Sequence, residues 1–457
     1  MMNAMGPPGA ALDLGHTQSD VEPLRLQPAP HATGVEPAQH AALNSRRWPA
    51  PGRRPRVLLA WEHGRNFGRL SRLLTVARLI EQQGGEPVWV VPRSQRNAPA
   101  LVSLSHRRFV SPVIEQQIFA PDFRADSFAD LLLPVGFDRP DALLEATQAW
   151  ARIIEQQQPE CVLLDYAPVA QLACHVLGLR AFQLTNGFDA PPPDCPPYAG
   201  VRADSALAQR NAARVARLSA HIEQVADRFA GRPRSSLEAI LRHPRKIFEC
   251  IPELDPYGPR RQALWLGPLG APQDTVDVPW PESRLQHRRV FAQMRSTAGA
   301  TELLDELRLS DAVTLCVWRD APDEVMARYR NTGVRIVRQP VRLERVLAEA
   351  DAVVNQGSTA LVCQTLLAGK PQLIMPTDFE KLKVAQCLAA TGAGAVWHPI
   401  ECGAREAIAR LLHTPQYAEG ARAIAARYPA HWLEANRNRF ARGLIGEAEI
   451  GPEPMFY

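Results

Sequence analysis

A rhythm constrains this chain most: a short apolar run, a polar loop, a helix-spaced stretch and another apolar run, repeated along most of its 457 residues. It starts at RVLLAW (residues 56–61), passes through the loop EHGRNFGR, and enters LSRLLTVARLIEQQGG. There Leu70, Leu73, Leu74, Ala77 and Ile80 fall at helical spacing, Gly84 and Gly85 stop the helix, and PVWVV follows as a second strand. CVLLD, PVAQLACHVLGL and AFQLT repeat the unit, while residues 96–158 read mainly as loops and helices, with an amphipathic segment at DALLEATQAWARIIEQQQ. Short apolar runs without alternation suit strands buried on both faces, and helical crossovers between them imply a parallel sheet.

The rhythm breaks once. After a long helical stretch near 203–230, LWLGPLGAPQDTVDVPWPES is rich in proline and lacks any period. It then restarts with RVFAQM, AVTLCVW, VRIV, DAVVN, PQLIM and AGAVW as strands and helices between them, closing with helices near 403–412 and 417–441. The expectation is an α/β protein of two Rossmann-like, doubly wound domains: 56–266, a linker at 267–287, 288–415, and a C-terminal segment of helices and tail at 416–457. Residues 1–55, rich in Pro, Ala, Gly and His, read as a disordered tail.

Composition narrows the function classes. Lys and Arg number 52 against 48 Asp and Glu, and a net charge of +4 is too small to argue for nucleic acid. The eight cysteines form no C-x-x-C pair, so neither a metal site nor a disulfide framework is expected. No basic-then-apolar leader and no membrane-length apolar run occur, which points to a cytoplasmic protein, with peripheral membrane contact left open.

Ligands of open parallel sheets bind beyond the carboxyl ends of the strands, where helix N-termini offer free N–H groups to anions. Two loops of the second domain fit: RSTAG (Arg295 to Gly299) and NQGSTA (Asn355 to Ala360). Gly357 would let the backbone approach a diphosphate, with Ser296, Thr297, Ser358 and Thr359 as hydroxyl donors; capping of the helix by Ser358 or Thr359 is the plainer alternative. No G-x-x-x-x-G-K-[ST] or G-x-G-x-x-G occurs in these loops, which argues against ordinary ATP or NAD binding.

Residues 351–376, DAVVNQGSTALVCQTLLAGKPQLIMP, resemble the donor-binding segment of family 1 (UDP-glycosyltransferase-like) enzymes and, more distantly, the peptidoglycan GlcNAc transferase. Three further stretches resemble that family in order: RVLLAW to IEQQGG, PECVLLDYAPVAQLACHVLGLRAFQLTNGFDAPP, and IPELDPYGPRR to WLGPL. The resemblance spans about residues 55–430 and implies a GT-B fold and a bacterial-type glycosyltransferase. Such an enzyme takes a UDP- or TDP-linked sugar as co-substrate, without metal or other cofactor, and passes it to a small-molecule or lipid acceptor. It further implies a donor site with Gln356 in place of a diphosphate-binding His, Gly357 retained, Gln364 at the ribose contact, Glu380 and Lys381 at the sugar contacts, and Val341 at the base.

The family's catalytic His position is held here by Arg69, which cannot act as a base, whereas Asp165 stands at the family's Asp position. His63 or Asp165 is therefore the expected base, with Arg69 binding a phosphate or an anionic acceptor. Acceptor loops are expected around 92–140 and 186–205, where Phe188 and Tyr198 offer apolar contact or simply pack. Two other readings stand beside transfer: a degenerate GT-B protein binding a nucleotide or partner without catalysis, and a sugar-nucleotide epimerase.

Overall fold

The computed structural model describes residues 53–63, 67–115, 125–197, 205–229, 233–258, 260, 263–270, 275–282, 288–398 and 403–446. Nearly all of the expected tail, Gly64, Tyr198, parts of the linker and residues 447–457 lie outside these.

Two parallel sheets form. The first holds β1 (Arg56–Trp61), β2 (Glu86–Val91), β3 (Arg107–Val110), β4 (Cys161–Asp165), β5 (Ala181–Thr185), β6 (Arg245–Phe248) and β7 (Leu264–Trp265) in the order β3-β2-β1-β4-β5-β6-β7. The second holds β8 (Arg288–Met294), β9 (Ala312–Trp318), β10 (Val334–Val337), β11 (Ala352–Asn355), β12 (Gln372–Ile374) and β13 (Gly394–Val396) in the order β10-β9-β8-β11-β12-β13. Every pairing is parallel. In each sheet the chain reverses its direction of travel once, between β1 and β4 and between β8 and β11. Those two switch points are where a doubly wound sheet opens a crevice for ligand.

The first sheet is apolar because both its faces are covered. Leu58 and Ala60 enter a cluster with Leu143, Trp150 and Ile154 of the helix Pro140–Gln157. Val57, Leu59 and Trp61 point the other way, onto Leu70, Leu73, Ala77 and Ile80 of the helix Phe67–Gln82. Each such leucine contributes roughly 1.5–3 kcal/mol by leaving water, so the alternation of faces fixes the register of β1 between its two helices.

The expected helix at 417–441 is two helices, Pro415–Arg427 and Ala430–Leu444, because Pro429 cannot continue the first. They serve different domains. The first packs on the helix Thr359–Leu367, while the second crosses back to the first domain and places Phe440 and Leu444 in the cluster beneath β1. Asn436 Nδ2 donates to the Trp265 carbonyl at 2.9 Å. An apolar cluster joins the sheets nearer the cleft, with Phe248, Ile251, Leu254 and Trp265 of the first domain against Val362, Leu366, Val384 and Leu388 of the second. The carboxyl ends of the two sheets meet across this seam. Among the described residues no helix is long and apolar enough to cross a membrane.

Candidate active site

At the first switch point, β1 delivers Glu62 and His63 and β4 delivers Asp165 and Tyr166. Asp165 is fully buried and binds two guanidiniums from the helix Phe67–Gln82. Arg69 Nη1 donates to Oδ1; Arg72 donates through Nε to Oδ2 at 2.7 Å and through Nη2 to Oδ1. Arg72 also pairs with Glu249 just past β6. Burial would raise the Asp165 carboxyl, yet Arg72 and Arg69 outweigh it and hold it below the usual carboxylate range. For Arg69 burial works against the charge, and the carboxylates of Asp165, Asp189 and Glu380 more than offset it.

Glu62 is buried. Its oxygens accept the amides of Val169 at 3.1 Å and Ala170 at 2.7 Å, which are orphan donors at the start of the helix Pro168–Val176. Burial pushes its carboxyl up to about 8 against those bonds. His63 is 5% exposed; its Nε2 lies 3.7 Å from Glu62 Oε2, and its ring stands edge-on to Tyr166 with centroids 6.0 Å apart. Burial, followed by the Arg69 charge, pushes the imidazole down to about 4. Tyr166 has φ +47°, a left-handed backbone that a bulky residue adopts only under constraint, and Arg69 lies 5.2 Å over its ring.

These contacts bear on the expected base. Asp165 is tied by both arginines and has a weakened affinity for protons, so its geometry is that of an anchor for Arg69. His63 is buried edge-on to Tyr166 with its proton affinity likewise lowered. Arg72, one helical turn past Arg69, Glu249 and Tyr166 were not expected from sequence. The i, i+3 spacing of the two arginines was the available signal for Arg72; nothing local announces Glu249.

The second switch point is built differently. Gly357 has φ +84°, and a Cβ there would come within 2.9 Å of Lys381 Cβ and 3.0 Å of the Lys381 carbonyl, so glycine is required. Asn355 Oδ1 accepts the Gly357 amide at 2.8 Å and is itself fixed by Gln372 at 3.0 Å. Ser358 occupies the N-cap position of the helix Thr359–Leu367 but makes no side-chain cap hydrogen bond, and it is exposed. Capping therefore does not account for its hydroxyl. Gln356 Nε2 donates to Thr297 Oγ1 at 2.8 Å and to the Arg295 carbonyl at 3.2 Å, binding the two loops to each other. Ser296 is engaged too, its hydroxyl donating to the Asp320 carbonyl at 3.1 Å and accepting from Trp318 Nε1 at 3.1 Å. Asp320 also accepts the Ser296 amide at 3.3 Å, which sets a carboxylate at the N-terminal approach to the helix Ala300–Leu309. Of the expected phosphate ligands, Ser296, Thr297 and Gln356 thus bond within and between the two loops, while Ser358 is exposed with Gly357 and Thr359 buried beside it.

The remaining donor-side residues spread outward. Gln364 is partly buried, about one and a half turns along the same helix. Lys381 Nζ bonds Thr377 Oγ1 at 2.6 Å and Asp378 at 2.7 Å, so its charge is already balanced. Val341 is buried among Phe291, Leu315 and Val353 and pairs in parallel with Val276 of the linker.

One side chain spans the cleft between the switch points. Asn186, just past β5, donates from Nδ2 to Thr359 Oγ1 at 3.1 Å and to Glu380 Oε1 at 2.6 Å. Phe188 meets Phe379 beside it, with centroids 6.2 Å apart. Burial raises the Glu380 carboxyl, with Asn186 and Arg69 opposing. Asp189, which accepts the Thr185 hydroxyl, completes the charged wall facing Arg69.

Two facing, doubly wound domains with a cleft at opposed switch points define the GT-B class of fold. Solved structures of that class align over almost their whole length. The calicheamicin glycosyltransferase CalG4 is 16% identical with a TM-score of 0.61, covering 86% of this chain and 99% of its own. The glycosyltransferase VinC in complex with dTDP is 16% identical with a TM-score of 0.60, covering 87% and 100%. SsfS6 from Streptomyces sp. SF2575, complexed with thymidine diphosphate, is 17% identical with a TM-score of 0.54, covering 85% and 99%. No family model matches the chain, and no curated protein matches it by sequence.

Proposed function

We propose that this protein transfers a glycosyl group from a nucleoside-diphosphate sugar to an acceptor held on the first domain. The Gly357–Ser358–Thr359 turn carries this reading. It is a glycine-dependent loop at a helix N-terminus, with an uncommitted Ser358 position and a cleft-facing Thr359, opposite a second switch point rich in charge. Helix N-terminal amides and hydroxyls would neutralise the departing diphosphate in place of a metal. Glu380, at the foot of the next helix and bonded to Asn186, would read sugar hydroxyls, and the walls around Val341 would hold the base. VinC and SsfS6, solved with dTDP and thymidine diphosphate, support a thymidine- or uridine-type nucleotide.

Calorimetric titration with TDP, UDP and GDP tests the donor half. Saturable binding of one of them is expected; no binding by any would remove the reading. A second reading, nucleotide binding without transfer, is favoured by Arg69 standing where a proton acceptor would face the cleft. Consumption of the matching nucleotide-sugar only when an acceptor is supplied would exclude it.

A further inference from the structure

Resting on the transfer reading above, we infer that the acceptor is a carboxylate, which attacks already ionised and is positioned by Arg69. An alcohol must shed its proton as the new bond forms, and this calls for a base within hydrogen-bond reach. The first-domain crevice is poorly supplied with one among the described residues. Arg69 cannot accept a proton. Asp165 is ligated by both Arg69 and Arg72, His63 is buried edge-on to Tyr166, and Glu62 is turned onto the amides of Val169 and Ala170. On the same domain Asp189 accepts the Thr185 hydroxyl, and across the cleft Glu380 accepts Asn186.

The same crevice holds one partly exposed cation that an anion can address. Asp165 binds Arg69 through Nη1, the Tyr166 ring lies against the guanidinium, and the side chain remains 19% exposed. A guanidinium carries five N–H donors in a planar fork, so those beyond the Asp165 bond can address both oxygens of a carboxylate. Asp189 and Glu380 also face Arg69, and their repulsion weighs less on a monoanion than on a phosphate dianion. The step then balances without proton transfer. A carboxylate oxygen lone pair bonds to the anomeric carbon, the bond from that carbon to the diphosphate oxygen breaks with its electron pair, and the nucleoside diphosphate leaves. The product is a glycosyl ester.

The test supplies TDP-glucose and UDP-glucose with acetate, octanoate and benzoate, each against the matching alcohol, and reads products by mass spectrometry. Hydroxylamine converts a glycosyl ester to a hydroxamate but leaves an ether-type glycoside intact. Expected are ester products, a rate flat between pH 6.5 and 8.5, and an Arg69→Gln variant about a hundredfold slower on the carboxylate with unchanged TDP affinity. The unchanged affinity shows the donor domain intact, and an unaltered urea midpoint shows the same of the first domain. Faster use of the alcohols, a rate that climbs with pH, or undiminished ester formation by Arg69→Gln would each overturn the inference. Donor binding with no carboxylate consumed also overturns it while leaving the transfer reading in place; absence of nucleotide binding in the unaltered protein removes both.

Discussion

At the ends of β1 and β4 the chain gathers Glu62, His63, Arg69, Arg72 and Asp165, nearly all withdrawn from water. At the equivalent ends of β8 and β11 it presents hydroxyls, amides and a glycine, with Asp320 at the edge. The two places are topologically alike, so topology alone does not decide what a switch point does. The difference lies in what holds each loop. The first is held by charge-assisted bonds that converge on one carboxylate, and the second by neutral amide bonds through Gln356 and Asn355. Converging buried charges fix geometry at the cost of desolvation, which suits a positioned guanidinium. A neutral loop leaves its N-terminal amides to recruit a diphosphate from solvent.

The comparison is tested hardest at Asp165. Asparagine there would leave two buried guanidiniums facing a neutral amide, and removing one partner of a buried pair costs about 3–5 kcal/mol. Urea denaturation of Asp165→Asn should show that loss. A loss below 1 kcal/mol would mean that the arginines reach water and that the first crevice is not built on its ion pairs. Gly357→Ala asks the same of the second loop, where a Cβ would meet Lys381 in a left-handed backbone. Strain of this kind costs about 1–3 kcal/mol, and nucleotide binding should fall with it because the turn itself must move.

Most of the fold was legible because its strands are apolar runs with helices between them, a pattern that survives without knowledge of tertiary contacts. Of the three missed strands, the two-residue β7 lies at the head of the proline-rich run, and the other two carry charge. β3 reads RRFV and β6 reads RKIF, and strands carrying two cations look like loop in sequence. β3 is an edge, where charge protects against further pairing. In β6, Lys246 reaches back to Gln183 and the Leu241 carbonyl. The site was legible in part: the NQGSTA turn was visible in the residues, and Arg69 and Asp165 were marked by the family resemblance, as anion ligand and base and not as an ion pair. Asn186 was not, since its role depends on two domains closing, nor was Tyr166, whose left-handed backbone has no signature in a tyrosine.

A smaller effect separates the crevices by pH. Glu62 is raised to about 8 in the folded chain, so the native state binds the extra proton above the ordinary carboxylate range and stability falls as pH rises through 8. His63 is lowered to about 4, so its contribution runs the other way and is lost as pH falls from 6.5 to 4. Above pH 6.5 only the Glu62 slope remains, about 2 kcal/mol by pH 8 at most. Glu62→Gln keeps an oxygen for one helix amide and should flatten that slope. An unchanged slope in the variant would place the titrating group elsewhere.

The smallest expected effect is the one that bears most directly on the second crevice. Ser358 caps nothing with its side chain, and Thr359 spends its hydroxyl on Asn186 across the cleft. The double substitution Ser358→Ala/Thr359→Ala therefore removes two hydroxyls while leaving Gly357, the helix and its amides in place. Stability should change by less than about 1 kcal/mol, because no buried partner is stranded inside the donor domain. Affinity for the nucleoside diphosphate should drop about tenfold, or roughly 1.4 kcal/mol, measured by calorimetry beside Ser358→Ala/Thr359→Ser, which retains one hydroxyl and should recover part of the loss. The asymmetry is the informative result: a change that costs binding but not folding is what a recruiting loop predicts, whereas Asp165→Asn should cost folding first. Equal affinity in the double variant would shift the diphosphate to the backbone amides alone, and the two crevices would then differ in charge but not in their reliance on side chains.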